Sequence, residues 1–264
     1  MQISAPNFSL AQTIGSGQLF RYETVPEGFL VSHGSKAFLI GQDGTNLIIY
    51  NATDNVTEAW LRYFFALDET VPDATDEYSK AALDYCKNLR ICNQDAWECT
   101  LGFLCSQNNN VARIRQLMTG LAREFGTQVQ LGQYTAFTFP EPGNIVAGTR
   151  LDSIRAGYRA KYIEYANSML SHEMLEGLHG HEYDDAKEAL QLIHGVGPKV
   201  ADCILLFAYG HSEAFPIDTW VEHIMRTQYK CKNKEQMRRK AQKLWGARAG
   251  VMQQYLFHYA RTAR

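Results

Sequence analysis

The run His194-Gly195-Val196-Gly197-Pro198-Lys199, set between two helix-like stretches, constrains this chain most strongly. Two glycines one residue apart let a backbone reverse tightly and approach another molecule without a Cβ in the way. Pro198 suits the first turn of a following helix, where its missing N–H costs little. The flanking segments, Tyr183–Ile193 and Lys199–Tyr209, carry apolar residues at helical spacing. This region is therefore a helix–hairpin–helix. Unpaired amides at the second helix's start suit a phosphate, although a plain helix–turn–helix connection also uses glycine in its turn.

Lys199 falls at the positive end of that helix's dipole, poor placement for stability alone. A lysine held there is suited to act as a nucleophile. Nineteen residues later, Phe215-Pro216-Ile217-Asp218 leads into another helical stretch. Asp218 is a good helix cap, and capping alone would account for it. Beside a hairpin lysine it gains a second reading, as a carboxylate that stabilises positive charge while a bond breaks.

Phe29–Val31, Ala37–Ile40 and Leu47–Tyr50 are short β-favouring runs, parted by turn signals at His33-Gly34-Ser35 and Gln42-Asp43-Gly44. From Asn55 the spacing turns helical, at Thr57–Leu67, Tyr78–Leu89, Ala96–Cys105 and Asn108–Phe125, the last closed by Gly126 as a left-handed cap. A loop rich in Gly, Pro and Thr is expected over Thr135–Thr149, with helices over Asp152–Leu170, Asp218–Tyr229 and Glu235–Ala260. The expected fold class is α+β. An N-terminal antiparallel β-sheet domain spans residues 1–94, and a mainly α-helical domain spans 95–264 with the hairpin at 194–199.

A hydrophobic share of 45% and a charged share of 20% fit a globular protein. No stretch approaches the ~20 apolar residues that cross a bilayer. The N-terminus lacks the basic-then-apolar pattern of an export signal. The expectation is an intracellular monomer with no membrane partner, in the cytoplasm and nucleoid or in a nucleus. The six cysteines read as free thiols. Cys86, Cys92, Cys99 and Cys105 show no CxxC spacing, so no metal and no other cofactor is expected.

The net charge of −2 conceals a division: residues 1–100 hold 6 basic and 13 acidic side chains, and the remainder holds 20 and 15. Between Arg226 and Arg248, nine basic residues face Glu235 alone. Such a stretch can hold phosphates through counterion release, or be a solvated basic helix.

Leu192 through Cys203, with Pro216-Ile217-Asp218, resembles the helix–hairpin–helix/Gly-Pro-Asp superfamily of DNA glycosylases. The likeness is greatest to the eukaryotic-type 8-oxoguanine glycosylases and spans nearly the whole chain. It takes in Gly17-Gln18-Leu19-Phe20-Arg21-Tyr22, the segment Cys105 to Ile114, and Gly157-Tyr158-Arg159-Ala160-Lys161-Tyr162. The resemblance implies a sheet domain like the TATA-box-binding fold. It also implies a bifunctional enzyme of base excision repair, which removes 8-oxoguanine opposite cytosine from double-stranded DNA and nicks the abasic site.

By the same resemblance Lys199 attacks C1′ and Asp218 stabilises the sugar's positive charge. Gly17 offers its carbonyl to the N7–H of the oxidised base, where ordinary guanine has a bare acceptor. Cys203 and Phe257 flank the base, and Gln253 meets its pairing edge. Asn108, Arg113 and Arg159 fill the vacated space and bond the orphaned cytosine, with Tyr158 wedged beside it. Gly195 and Gly197 hold the backbone of the DNA. Read singly, Cys203 and Phe257 also suit core packing, Gly17 a turn, and both arginines solvated helix charges. Trp220 departs from the family, standing where a histidine contacts phosphate. Two other readings remain: a monofunctional alkylpurine glycosylase that activates water, and a hairpin module that binds DNA without chemistry.

Overall fold

The computed structural model describes residues 1–146 and 149–263. The chain opens with strand β1 (Gln2–Ser4), helix α1 (Leu10–Gly15) and strands β2 (Tyr22–Val25), β3 (Gly28–His33), β4 (Lys36–Asp43) and β5 (Asn46–Ala52). The five strands form one antiparallel sheet in the order β1-β5-β4-β3-β2. The three expected strand runs are β3, β4 and β5, each a little longer than its apolar centre. The short β1 and β2 carry too few apolar residues to stand out in the sequence. Helix α1 interrupts the expected run of strands, started by Ser9, whose hydroxyl accepts the Gln12 amide.

The β4 segment Ala37–Ile40 is buried at every position, because the pleat sends alternate side chains into two different cores. Phe38 and Ile40 pack with α1 residues Leu10 and Ile14 and with Leu61, Phe64 and Phe65. Ala37 and Leu39 pack with Leu131 and Ala136. Those two residues belong to a second hairpin, β6 (Gln128–Leu131) and β7 (Tyr134–Phe137), which covers the sheet's other face. The loop expected from Thr135 therefore begins after this strand. Its Gly and Pro content obscured a four-residue strand whose turn is made by Gly132, with φ +62°.

The helical body comprises α2 (Glu58–Phe64), α3 (Glu77–Tyr85), α4 (Ala96–Cys105), α5 (Val111–Phe125), α6 (Thr149–Ser153), α7 (Ala160–Met169), α8 (His172–Glu176), α9 (Tyr183–Gln191), α10 (Pro198–Ala208), α11 (Thr219–Thr227), α12 (Lys234–Trp245) and α13 (Ala249–Thr262). Helix α4, buried along its whole length, runs through the centre against α5 and α10. A separate core joins Ala82, Cys86 and Leu89 to α11, α12 and α13.

Three helix expectations need correction. Gly126 is extended (φ −87°, ψ −177°) rather than left-handed, and its amide closes α5 on the Ala122 carbonyl. The stretch 152–170 is broken at Arg155 (φ +57°) and Gly157 (φ +61°), where the chain leaves right-handed helical space. The stretch 235–260 is two helices. Gly246, at φ 51° and ψ −132°, adopts a conformation essentially closed to other residues.

A buried ion pair fastens the sheet to the body. Arg21 donates to both oxygens of Glu98, at 2.7 and 2.8 Å, and Glu98 also accepts the Gly34 amide at 2.6 Å. His33 Nε2 accepts the Asp95 amide at 2.7 Å, which leaves its proton on Nδ1, 3.7 Å from Glu98. Burial would raise the Glu98 carboxyl, but the Arg21 charge, with hydrogen bonds from Arg21 and the Gly34 amide, holds it below the ordinary carboxylate range. Burial also keeps His33 neutral by lowering its pKa. The weld sits next in sequence to the Gly17 segment and so fixes that segment's place.

Candidate active site

The hairpin is built as its glycines require. Gly195 has φ +94°, and a Cβ there would meet the Tyr162 ring at 2.7 Å, so both backbone and space demand glycine. Gly197 is different: φ is −89°, and a Cβ would meet nothing within 4 Å. Its side lies open, and it begins α10 with Pro198 at the first helical position. The Gln107 side chain donates through Nε2 to the Gly195 carbonyl at 3.1 Å, tying the hairpin to the α4–α5 connection.

Asp218 begins α11, and its Oδ1 accepts the Val221 amide at 2.8 Å. Capping is thus a real role. Burial raises its carboxyl pKa, opposed first by the Val221 amide and then by the Lys199 charge. Lys199 and Asp218 line the same cleft, of about 600 Å³, a volume suited to a small ligand or a single base. The Lys199 amine lies 3.5 Å from the Ser106 hydroxyl and 5.4 Å over the Phe103 ring.

Gly17, Asn108, Cys203, Gln253 and Phe257 line this cleft with them. Gly17 turns with φ +89°, and its neighbours pin it down. Gln18 donates to the Arg90 carbonyl at 2.8 Å and accepts the Cys92 amide at 2.7 Å, while Gln254 of α13 donates to the Ser16 carbonyl at 3.1 Å. Gln253 is only 4% exposed, and its Oε1 has no hydrogen-bond partner among the described residues. A buried acceptor left empty inside a cleft is a place for a ligand's donor. Burial pushes the Cys203 thiol up to about 11, against the Lys199 charge, so it meets a ligand as a neutral, polarisable group.

Arg113, Tyr158, Arg159, Gly195 and Gly197 are not among the residues that line the cleft. Arg159 donates to the Gln107 and Asn108 carbonyls, each next to Asn108 in the chain or part of it. Tyr158 donates to the Gln107 carbonyl at 2.9 Å and accepts from Asn108 at 3.3 Å, yet 48% of it is exposed. Arg113 donates to the Ile154 and Arg155 carbonyls at 3.2 and 2.8 Å. Asn108 itself sits at φ +48°, so α5 starts later than expected, capped by Asn110. Asn108, Tyr158 and Arg159 thus form one joined group.

Sequence reasoning missed Phe20, Phe103, Ser106, Phe207 and Arg261 as lining residues. Phe20 lies in a quoted motif, whereas Phe103 and Phe207 read only as core. Their rings stack on each other at 5.4 Å within the cleft lining. The basic stretch 226–248 is less bare than its sequence: Arg226 pairs with Glu222, Arg238 with Asp202, Arg239 with Glu235 and Arg248 with Glu69. Lys230, Lys232, Lys234 and Lys243 remain exposed. Among the described residues no group of His, Cys, Asp and Glu side chains could hold a metal, and no helix is long and apolar enough to cross a membrane.

A family model described as the N-terminal domain of 8-oxoguanine DNA glycosylase matches residues 1–100. A probable N-glycosylase/DNA lyase of Methanothermobacter thermautotrophicus is 32% identical over 232 residues, 77% of this chain and 74% of that protein. An 8-oxoguanine glycosylase/lyase of Clostridium acetobutylicum, solved with double-stranded DNA containing cytosine opposite 8-oxoG, is 28% identical with a TM-score of 0.86, covering 97% of this chain and 93% of that one. A 3-methyladenine DNA glycosylase of Archaeoglobus fulgidus shares the fold, at a TM-score of 0.78 and 17% identity over 100% of this chain and 99% of that one.

Proposed function

The chain belongs to the N-glycosylase/DNA lyase family of 8-oxoguanine repair enzymes, and we propose that Lys199 and Asp218 carry out its two reactions in the cleft they share. It is a bifunctional 8-oxoguanine DNA glycosylase and lyase acting on DNA. The observation that carries the assignment of residues is the meeting of amine and carboxylate at one cleft, each at the start of its own helix.

The Lys199 amine attacks C1′ of the extruded nucleotide through its nitrogen lone pair. The C1′–N9 bond breaks, its electron pair leaves with the base, and the base takes up a proton. Asp218 offsets the positive charge on the sugar as that bond lengthens. The bound amine then loses its proton and the sugar opens to a Schiff base. Loss of a C2′ proton expels the 3′ phosphate, and water hydrolyses the imine to restore the lysine. The Phe103 and Phe207 pair supplies an apolar surface against which the charges act more strongly.

The base is read, in this proposal, by the Gly17 carbonyl at N7–H, by Gln253 at the pairing edge, and by Cys203 and Phe257 on its faces. The empty Gln253 acceptor supports that reading. Asn108, Tyr158, Arg159 and Arg113 receive the orphaned cytosine. Their guanidinium groups now rest on backbone carbonyls, contacts that a nucleic-acid acceptor can replace. Gly197, open on its flank, lets the hairpin amides approach a phosphate.

An alkylpurine glycosylase that activates water has no use for the Lys199 amine, and a pure binding module has none for either group. The deciding experiment is borohydride trapping on duplexes that place 8-oxoguanine opposite each of the four bases. Covalent capture is expected, strongest opposite cytosine. Failure to trap defeats the lysine mechanism, and equal trapping opposite all four bases defeats the cytosine preference.

A further inference from the structure

Arg261, in the last turn of α13, lies between two parts of the wall to which base reading is assigned. Its Nη2 donates to the Gly15 carbonyl at 2.9 Å. Its Cζ lies 5.2 Å over the Phe257 ring. A Cβ at Gly17 would fall 2.9 Å from Nη1, 3.2 Å from Cζ and 3.3 Å from Nη2, so the flat guanidinium rests against the Gly17 backbone. The group is half withdrawn from water, and its Nε is buried with no hydrogen-bond partner among the described residues. A cation with an unsatisfied N–H is a poor choice for stability alone. It does provide a rigid plane that can donate to a loop and stack on a ring at once, which a lysine cannot do.

We propose that Arg261 is a positioning residue that fixes the spacing between the Gly17 carbonyl and the Phe257 ring, and thereby governs recognition of the oxidised base. This rests on the base-reading roles assigned to Gly17 and Phe257. Telling N7–H from a bare N7 depends on one carbonyl, and hydrogen bonds weaken beyond about 3.2 Å. A loop free to drift loses the reading while the attacking amine stays in place.

The test compares two substrates, a duplex with 8-oxoguanine opposite cytosine and a duplex with a preformed abasic site, which offers no base to read. Arg261→Leu and Arg261→Lys should slow excision under single turnover by on the order of tenfold or more, while abasic-site cleavage stays within about twofold of the unsubstituted protein. Free methylguanidinium, and not methylammonium, should restore excision by Arg261→Ala. Unchanged excision, or an equal fall on both substrates, overturns the proposal. Phe257→Ala separates the layers. If it leaves excision intact, the base-reading assignment fails. If it slows excision while the Arg261 variants do not, the failure belongs to Arg261 alone.

Discussion

Asp218 Oδ1 accepts the Val221 amide at 2.8 Å, so the carboxylate that shares a cleft with Lys199 is also the cap of its own helix. One side chain holds the start of α11 in place and is thereby itself held at the cleft. Capping and the proposed catalytic role are compatible, because the side chain that caps α11 also lines the cleft.

That dual role separates stability from activity. Burial raises the Asp218 carboxyl, so carrying its charge costs the folded state some stability. Asparagine keeps the cap and removes the buried charge. Asp218→Asn should therefore unfold at the same or higher temperature while losing excision by on the order of 10³-fold, relative to thermal melts and single-turnover rates of the unsubstituted protein.

Lys199→Gln should abolish borohydride capture and lower excision by on the order of 10³-fold or more, with lesion-duplex binding retained within about fivefold in a titration. Loss of binding in parallel with excision would show instead that the lysine serves mainly to hold DNA.

Gln253 offers a second trade. Its buried, unpartnered Oε1 destabilises the free protein by about 1–3 kcal/mol. Gln253→Leu should raise the melting temperature and weaken excision of 8-oxoguanine, a combination that differential scanning and kinetics on one preparation can check.

Acid should loosen the protein through the weld between sheet and body. His33 has a lowered pKa, chiefly from burial, so it stays neutral when folded and takes a proton when unfolded below about pH 6.5. Its contribution is present above that pH and lost as pH falls. His258, lowered to about 4 by burial and by Arg261, acts in the same direction. Glu98, held below its ordinary range, adds a further loss nearer pH 4. Melting temperature should fall from pH 7 to pH 5, and His33→Gln should flatten part of that slope. Glu98→Gln should cost about 3–5 kcal/mol, because it strands the buried Arg21 charge.

The hairpin glycines should divide by consequence. Gly195→Ala meets the Tyr162 ring at φ +94° and should destabilise the fold in denaturant titration. Gly197→Ala meets nothing within 4 Å, so stability should hold while DNA affinity falls.

The hairpin and the helix starts at Pro198 and Asp218 were legible because their signals are local: glycine spacing, a proline at a helix start, a capping aspartate. The three main strands were legible from their apolar runs. What escaped the sequence depended on distant partners. Ala37–Ile40 is continuously apolar only because β6 and β7 cover one face and α1 and α2 the other. Arg261 carries no local pattern, and its meaning comes from Gly17 and Phe257. The Gly246 break was hidden because helical spacing resumes on both sides. The basic stretch misled in the other direction, since Arg238 and Arg248 meet Asp202 and Glu69 from distant parts of the chain.

Gln18 has one further consequence. Its side chain anchors the Gly17 loop to residues 90 and 92, while Lys199 belongs to α10, more than a hundred residues further on. On the proposed assignment, discernment and cutting power thus reside in separate stretches of polypeptide, and a variant that loses the Gln18 links should still cut bare abasic sugars while choosing the oxidised base poorly.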